Sequence, residues 1–304
     1  MSPDPSTPRV WLITGASRGL GRAFADAALA AGDHVVAIAR ASADLERLAT
    51  AHGDRVLAIP TDVTDRAAVF AAVEQAVARF GRLDVVVNNA GAMWLGAVEE
   101  FDEQEARAAL ELNFFGALWV TQAVAPQLRA QGGGRLLQIS SAAGIVTGPS
   151  TGLYSASKFA LEGMSEALAQ ELAPFGVRVT IVEPGGYWTD LYRRGLRYAA
   201  GGLDAYASLR PASAGDDQDG DAGPAATDDA EVPESFDSEP HVAAPAVRQL
   251  VDSDDPPLRL VLGSTVLDAM IANHRERIAT WESWQEVSRA AERAVPMPEG
   301  YLDG

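Results

Sequence analysis

The chain has 304 residues, 47 % of them hydrophobic, which allows one large α/β domain with a sizeable core or two small ones. The absence of cysteine excludes disulfides, thiolate nucleophiles and Cys-based metal sites. A net charge of −18 argues against nucleic-acid binding, which needs a basic footprint. Ten of the acids fall between Asp216 and Glu239, a segment without Lys or Arg, so the remainder carries about −8.

The first eight residues are polar and Pro-rich and read as a disordered tail. They hold no apolar signal region, and no run reads as long enough to span a bilayer. A soluble cytoplasmic protein without membrane partners is expected.

Arg9 to Thr14 predicts a buried parallel strand, followed by Gly15-Ala-Ser17-Arg18-Gly19-Leu20-Gly21 and an Ala-rich helix. Strand, Gly-rich turn and helix is the context in which backbone amides and a helix N-terminus receive a pyrophosphate. The same pattern also serves a tight turn with no ligand. His34 to Ala39 predicts a second strand that ends at Arg40. An acid near this corner holds the ribose hydroxyls of NAD, whereas an arginine accommodates a 2′-phosphate. Arg40 and Arg18 therefore favour NADP(H) over NAD(H), although Arg40 could also be a solvated loop charge.

Arg55 to Ile59 predicts a third strand, closed by Asp62-Val63, with Thr64 capping a helix that buries Val69, Val73, Val77 and Phe80. Leu83 to Val87 predicts a fourth strand that delivers Asn88-Asn89-Ala90-Gly91 to a strand end. A long helix from Glu103 to Arg129 carries Asn113. Arg135 to Ile139 predicts a fifth strand, which brings Ser140 and Ser141 to the same edge, and Ser155 to Leu172 a helix carrying Lys158. Val177 to Val182 predicts a sixth strand, before Glu183-Pro184-Gly185-Gly186. This alternation implies a parallel sheet covered on both faces.

Beyond Thr189 the pattern changes. Leu191 to Leu209 reads as short helices within a lid region, residues 187–211. Residues 212–240 read as an acidic low-complexity insertion. Leu258 to Leu262 predicts a last strand, and Ser264 to Glu292 a helix. The insertion thus interrupts a single domain of residues 9–304. His241 and His274 read as lone surface histidines, and no metal site is expected.

Lys158 is the only lysine among 24 basic residues. It stands four after Tyr154, so the pair shares one helix face. There the ammonium can favour the phenolate, which makes Tyr154 a candidate acid/base. An ordinary helix-surface pair has the same spacing.

In these motifs, taken in order, the chain resembles the short-chain dehydrogenase/reductase family over roughly residues 9 to 192, the strand near 260 and the helix after it. The resemblance implies a Rossmann-type doubly wound sheet of seven parallel strands, in the order 3-2-1-4-5-6-7. It implies that Tyr154 donates a proton to a substrate carbonyl, that Ser141 hydrogen-bonds the carbonyl oxygen, and that Asn113 supports a proton relay to Lys158. Lys158 would hold the nicotinamide ribose. Asp62 and Val63 would meet the adenine. Asn89, Ala90 and Gly91 would line the cofactor groove, Pro184 and Gly185 would also bind the cofactor, and Thr189 would contact the carboxamide of the nicotinamide. A homodimer or homotetramer is implied.

The expected activity is NADPH-dependent reduction of a small-molecule carbonyl. An alcohol dehydrogenase running the other way and a non-catalytic dinucleotide-binding regulator are the alternatives. Met93, Trp94, Ile145, Tyr187, Trp188, Leu191 and Tyr192 flank the catalytic edge and imply a bulky apolar or aromatic substrate, unless they pack the lid on itself.

Overall fold

The computed structural model describes residues 7–189, 191, 195–209 and 237–293. The expected tail (except Thr7 and Pro8), Tyr192 and most of the acidic insertion lie outside the described residues.

Seven parallel strands form the sheet among the described residues: β1 (Val10–Thr14), β2 (His34–Ala39), β3 (Val56–Pro60), β4 (Val85–Asn88), β6 (Gly134–Ile139), β7 (Val177–Pro184) and β9 (Arg259–Leu262). Their order is β3-β2-β1-β4-β6-β7-β9. This is the expected 3-2-1-4-5-6-7 order, with two short strands intervening in sequence but not in the sheet.

The apolar runs are needed because both faces are covered. Alternate residues of one strand enter different cores. Trp11 and Ile13 pack with Phe24, Leu29, Leu45 and Val247 on one face. Val10 and Leu12 pack with Val69, Val120, Leu128 and Leu172 on the other. The first face is covered by α1 (Gly19–Ala30), α2 (Ser42–His52) and the helix Ala244–Asp252. The second is covered by α3 (Arg66–Phe80), α5 (Gly116–Ala130) and α6 (Gly152–Leu172).

Four expectations are corrected. Asp65, not Thr64, caps α3: its carboxylate accepts from Ala68 N at 3.0 Å. The Thr64 hydroxyl is already committed to Asp62 Oδ1 at 2.8 Å. The helix after Asp102 is continuous from Glu103 to Ala130, but Glu111–Phe115 is a π-helical turn between α4 (Glu103–Leu110) and α5. By length and composition this helix could cross a membrane, contrary to the expectation that no run could. Here it lays Val120, Val124 and Leu128 into the core under the sheet. Finally, the region beyond Leu191 is not all helical. Leu196–Tyr198 is a strand, β8, paired in parallel with β5 (Met93–Leu95). Among the described residues there, Asp204–Leu209 is a 3-10 helix.

Candidate active site

The carboxyl ends of β1, β4 and β6 meet at one edge, where open α/β sheets bind ligands. Gly15 leaves β1 with φ +66, and Gly19 opens α1 with φ +56. These are left-handed conformations that glycine adopts without a side-chain clash. Among the described residues no side chain caps α1, an arrangement in which the first helix amides can receive a ligand. Thr14 ties this turn to the next one. Its Oγ1 accepts from Asn89 N at 2.9 Å and Ala90 N at 3.0 Å. Asn89 Nδ2 in turn donates to Thr14 O at 2.9 Å. Gly21 packs this arrangement and does not line it: a Cβ there would lie 2.5 Å from Gly15 O.

Tyr154 and Lys158 stand one turn apart on α6, both buried. Lys158 Nζ donates to Ile139 O at 2.8 Å and sits 5.8 Å from the Tyr154 ring centroid. Burial pushes this ammonium down to about 8, and the Glu162 carboxylate opposes the shift. Ser141 leaves β6 in an extended conformation and caps the 3-10 turn Ala142–Gly144, accepting from Ala143 N at 3.2 Å. Ser140 points away from it, toward Glu162.

Asn113 is buried in the π-helical turn, 1 % exposed. It grips both polar atoms of one residue: Nδ2 donates to Ala92 O at 2.9 Å, and Oδ1 accepts from Ala92 N at 3.0 Å. It lies behind Gly91, where a Cβ would stand 3.1 Å from Asn113 Oδ1 and 3.8 Å from Lys158 Nζ.

A cavity of about 680 Å³ runs along this edge. Arg40, Asp62 and Val63, which follow β2 and β3, line one end, and Arg18 lines it from the turn after β1. Ser141, Tyr154, Lys158, Pro184, Gly185 and Thr189 line the other. Between them stand Gly15, Ser17, Gly19, Leu20 and the turn Asn89–Gly91. One continuous trough with uncapped helix amides near its middle and hydroxyl and ammonium groups at one end fits a dinucleotide.

The expected substrate residues divide. Met93, Tyr187 and Leu191 line the cavity. Trp94 does not, because strand alternation turns it into a separate core with Ala92 and Ala109. Ile145 is buried outside the cavity, and Trp188 is 53 % exposed to solvent. Leu112, Thr61, Asp44 and Val266 line the cavity without having been expected. Thr61 could have been found, since it directly follows a strand end. Val266 could not, because only the fold brings the last helix across the cavity.

A second groove, of about 780 Å³, lies between α1 and Ala244–Asp252, away from the strand-end cluster. It touches Gly19 but none of the catalytic candidates. Among the described residues no cluster of His, Cys, Asp and Glu could hold a metal ion.

The convergence of a phenol, a hydroxyl and an ammonium can protonate an oxygen, bond to it and hold sugar hydroxyls. Known proteins share this sequence pattern and fold. The short chain dehydrogenase family model matches residues 9–196. Oxidoreductase BOA17 of Botryotinia fuckeliana is 36 % identical over 284 residues, 93 % of this chain and 99 % of that one. A short-chain dehydrogenase of Streptomyces avermitilis has a crystal structure with a TM-score of 0.80 and 38 % identity, covering 93 % of this chain and 100 % of that one. An alcohol dehydrogenase of Thermococcus sibiricus, solved with 5-hydroxy-NADP, has a TM-score of 0.66 and 26 % identity, covering 86 % and 98 %. By sequence and by fold together, the chain belongs to the short-chain dehydrogenase family and is a nicotinamide-dependent oxidoreductase acting on CH–OH and C=O groups.

Proposed function

We propose that the protein is an NADPH-dependent carbonyl reductase of bulky, largely apolar ketones. The observation that carries the reading is the shared wall of Ser141, Tyr154 and Lys158 in one dinucleotide-sized cavity. When bound, the nicotinamide supplies the hydride that reduces the carbonyl carbon. Tyr154 donates its phenolic proton to the carbonyl oxygen, which completes the alcohol. Ser141 donates a hydrogen bond to that oxygen as negative charge develops on it. Lys158 holds positive charge beside the phenolate this leaves and would hold the nicotinamide ribose. Asn113 keeps the Ala92 turn and α6 in register behind them.

Arg40 at the β2 end and Arg18 in the turn after β1 line the cavity and support a 2′-phosphate. Asp44 lines the same end, but its carboxylate is paired with Arg47. Met93, Leu112, Tyr187, Leu191 and Val266 supply apolar surface. Burial pushes the Tyr187 phenol up, which favours its neutral form.

The test is consumption of NADPH, with NADH alongside, against acetone, cyclohexanone, acetophenone and 2-acetylnaphthalene. Turnover with NADPH that rises with substrate bulk is expected. Tyr154→Phe should lower it by about 10²–10⁴-fold while still binding NADPH. Undiminished turnover in that variant would overturn the assignment.

A further inference from the structure

Glu162 lies one turn beyond Lys158 on α6, 4 % exposed. A buried carboxylate is costly unless it is paired and hydrogen-bonded. This one is held on both oxygens. Ser140 Oγ donates to Oε1 at 2.5 Å, and Arg259 Nη1 donates to Oε2 at 2.7 Å. Arg259 comes from β9 and also donates to Glu166 Oε1 at 2.7 Å and to Glu183 at short range. Burial pushes Glu162 up, and the bonds from Ser140 and Arg259 pull it back. Burial would lower Arg259, but its three carboxylates outweigh that and raise it. Three acids around one guanidinium thus form a rigid knot that joins α6, β7 and β9.

The knot bears on the residues either side of Ser141. Ser140, immediately before it, is bonded to Glu162. Gly144, three residues after it, rests on the same carboxylate: a Cβ there would stand 2.0 Å from Glu162 Oε1 and 2.7 Å from Ser140 Oγ. The 3-10 turn that Ser141 caps is therefore seated on Glu162 at both ends. No contact of Glu162 with a substrate or nucleotide is needed, and it does not line the cavity.

We infer that Glu162, anchored by Arg259, is a positioning residue for the reaction: through Ser140 and the turn ending at Gly144 it sets where the Ser141 hydroxyl meets the substrate oxygen. This rests on the role proposed above for Ser141. A purely structural knot would stabilise the fold without regard to Ser141. A positioning residue must lose its effect once the group it positions is gone, because effects of residues acting as a unit are not additive.

The experiment is a double-mutant cycle with NADPH and the panel ketone turned over fastest. Ser140→Ala cuts the link to the turn and leaves the Glu162–Arg259 pair intact. It should lower kcat about 10-fold, the scale expected for a small misplacement, with KM for NADPH unchanged. In a Ser141→Ala background the same change should cost less than about twofold. Glu162→Gln, run beside it, should show the same dependence on Ser141, with melting temperatures recorded to confirm folding. An equal loss in both backgrounds, or an unchanged kcat for Ser140→Ala, overturns this inference alone. Wild-type turnover by Ser141→Ala overturns it together with the proposed role of Ser141.

Discussion

Asn113 and Ser157 are joined across two helices by a hydrogen bond of 3.0 Å, Nδ2 donating to Oγ. Ser157 Oγ passes the link on to Tyr154 O at 2.7 Å. The π-helical turn Glu111–Phe115 sets Asn113 where it can reach both α6 and Ala92. Such single-turn bulges inside α-helices recur at functional sites.

Asn113→Ala removes both partners of the Ala92 peptide groups and leaves Ala92 N–H and C=O unsatisfied in a buried place. A loss of about 1–3 kcal/mol is expected for leaving a buried polar group unpaired. Urea denaturation would show it as a lower midpoint with an unchanged slope. Turnover should fall as well, since the Gly91–Ala92 turn lies against the cavity.

The position of Lys158 predicts a pH profile. Its ammonium is pushed down to about 8. The groups facing it are Glu162 and Tyr154 on its own helix and the carbonyl of Ile139 on β6. On the proposed mechanism carbonyl reduction needs the charged form, so kcat/KM should be flat below that pH and fall as pH rises through about 8. The sign for stability is opposite. The unfolded chain keeps this proton up to its ordinary 10.5, so between about 8 and 10.5 it binds more protons than the folded one. This group alone makes the nucleotide-free protein more stable as pH rises through that window. A rate profile rising above pH 8 in the reducing direction would contradict the charged-lysine role.

Arg40→Ala should raise KM for NADPH about 10- to 100-fold and leave KM for NADH nearly unchanged, because one charge-assisted bond to phosphate contributes about 1.5–3 kcal/mol. Steady-state kinetics with both cofactors checks it. Equal effects on the two would make Arg40 a solvated loop charge.

Gly21→Ala should damage the nucleotide turn from beneath. The new Cβ would meet Gly15 O and Asn89 Nδ2, each at 2.5 Å, and the first is backbone that cannot swing aside. Overpacking of this kind costs about 1–3 kcal/mol. Thermal melts should register it, and NADPH titration should show weakened binding.

The sheet and its loaded edge were legible because each strand reads as an apolar run and each delivers its polar residues immediately at its end. Thr14, Asn89 and Ser141 are such residues. The features that escaped depend on distant partners. β8 is three residues long and exists because Met93–Leu95 offers it an edge. Trp94 was misplaced because the facing of a three-residue strand is set by its pairing, not by the hydrophobicity of its neighbours. The π-helical turn has no composition of its own, and Ala92 lies 21 residues away from the Asn113 that grips it. Glu162 stood in view one turn after Lys158, but its role depends on Arg259, 97 residues later.

The lone lysine has a practical consequence. With arginine at every other basic position, an amine-selective acylating reagent finds one side-chain target, besides the amino terminus of the chain. That target lines the nucleotide cavity and is deprotonated at unusually mild pH. The extent of its acylation, read by intact mass, would count vacant nucleotide sites directly, without any knowledge of the substrate.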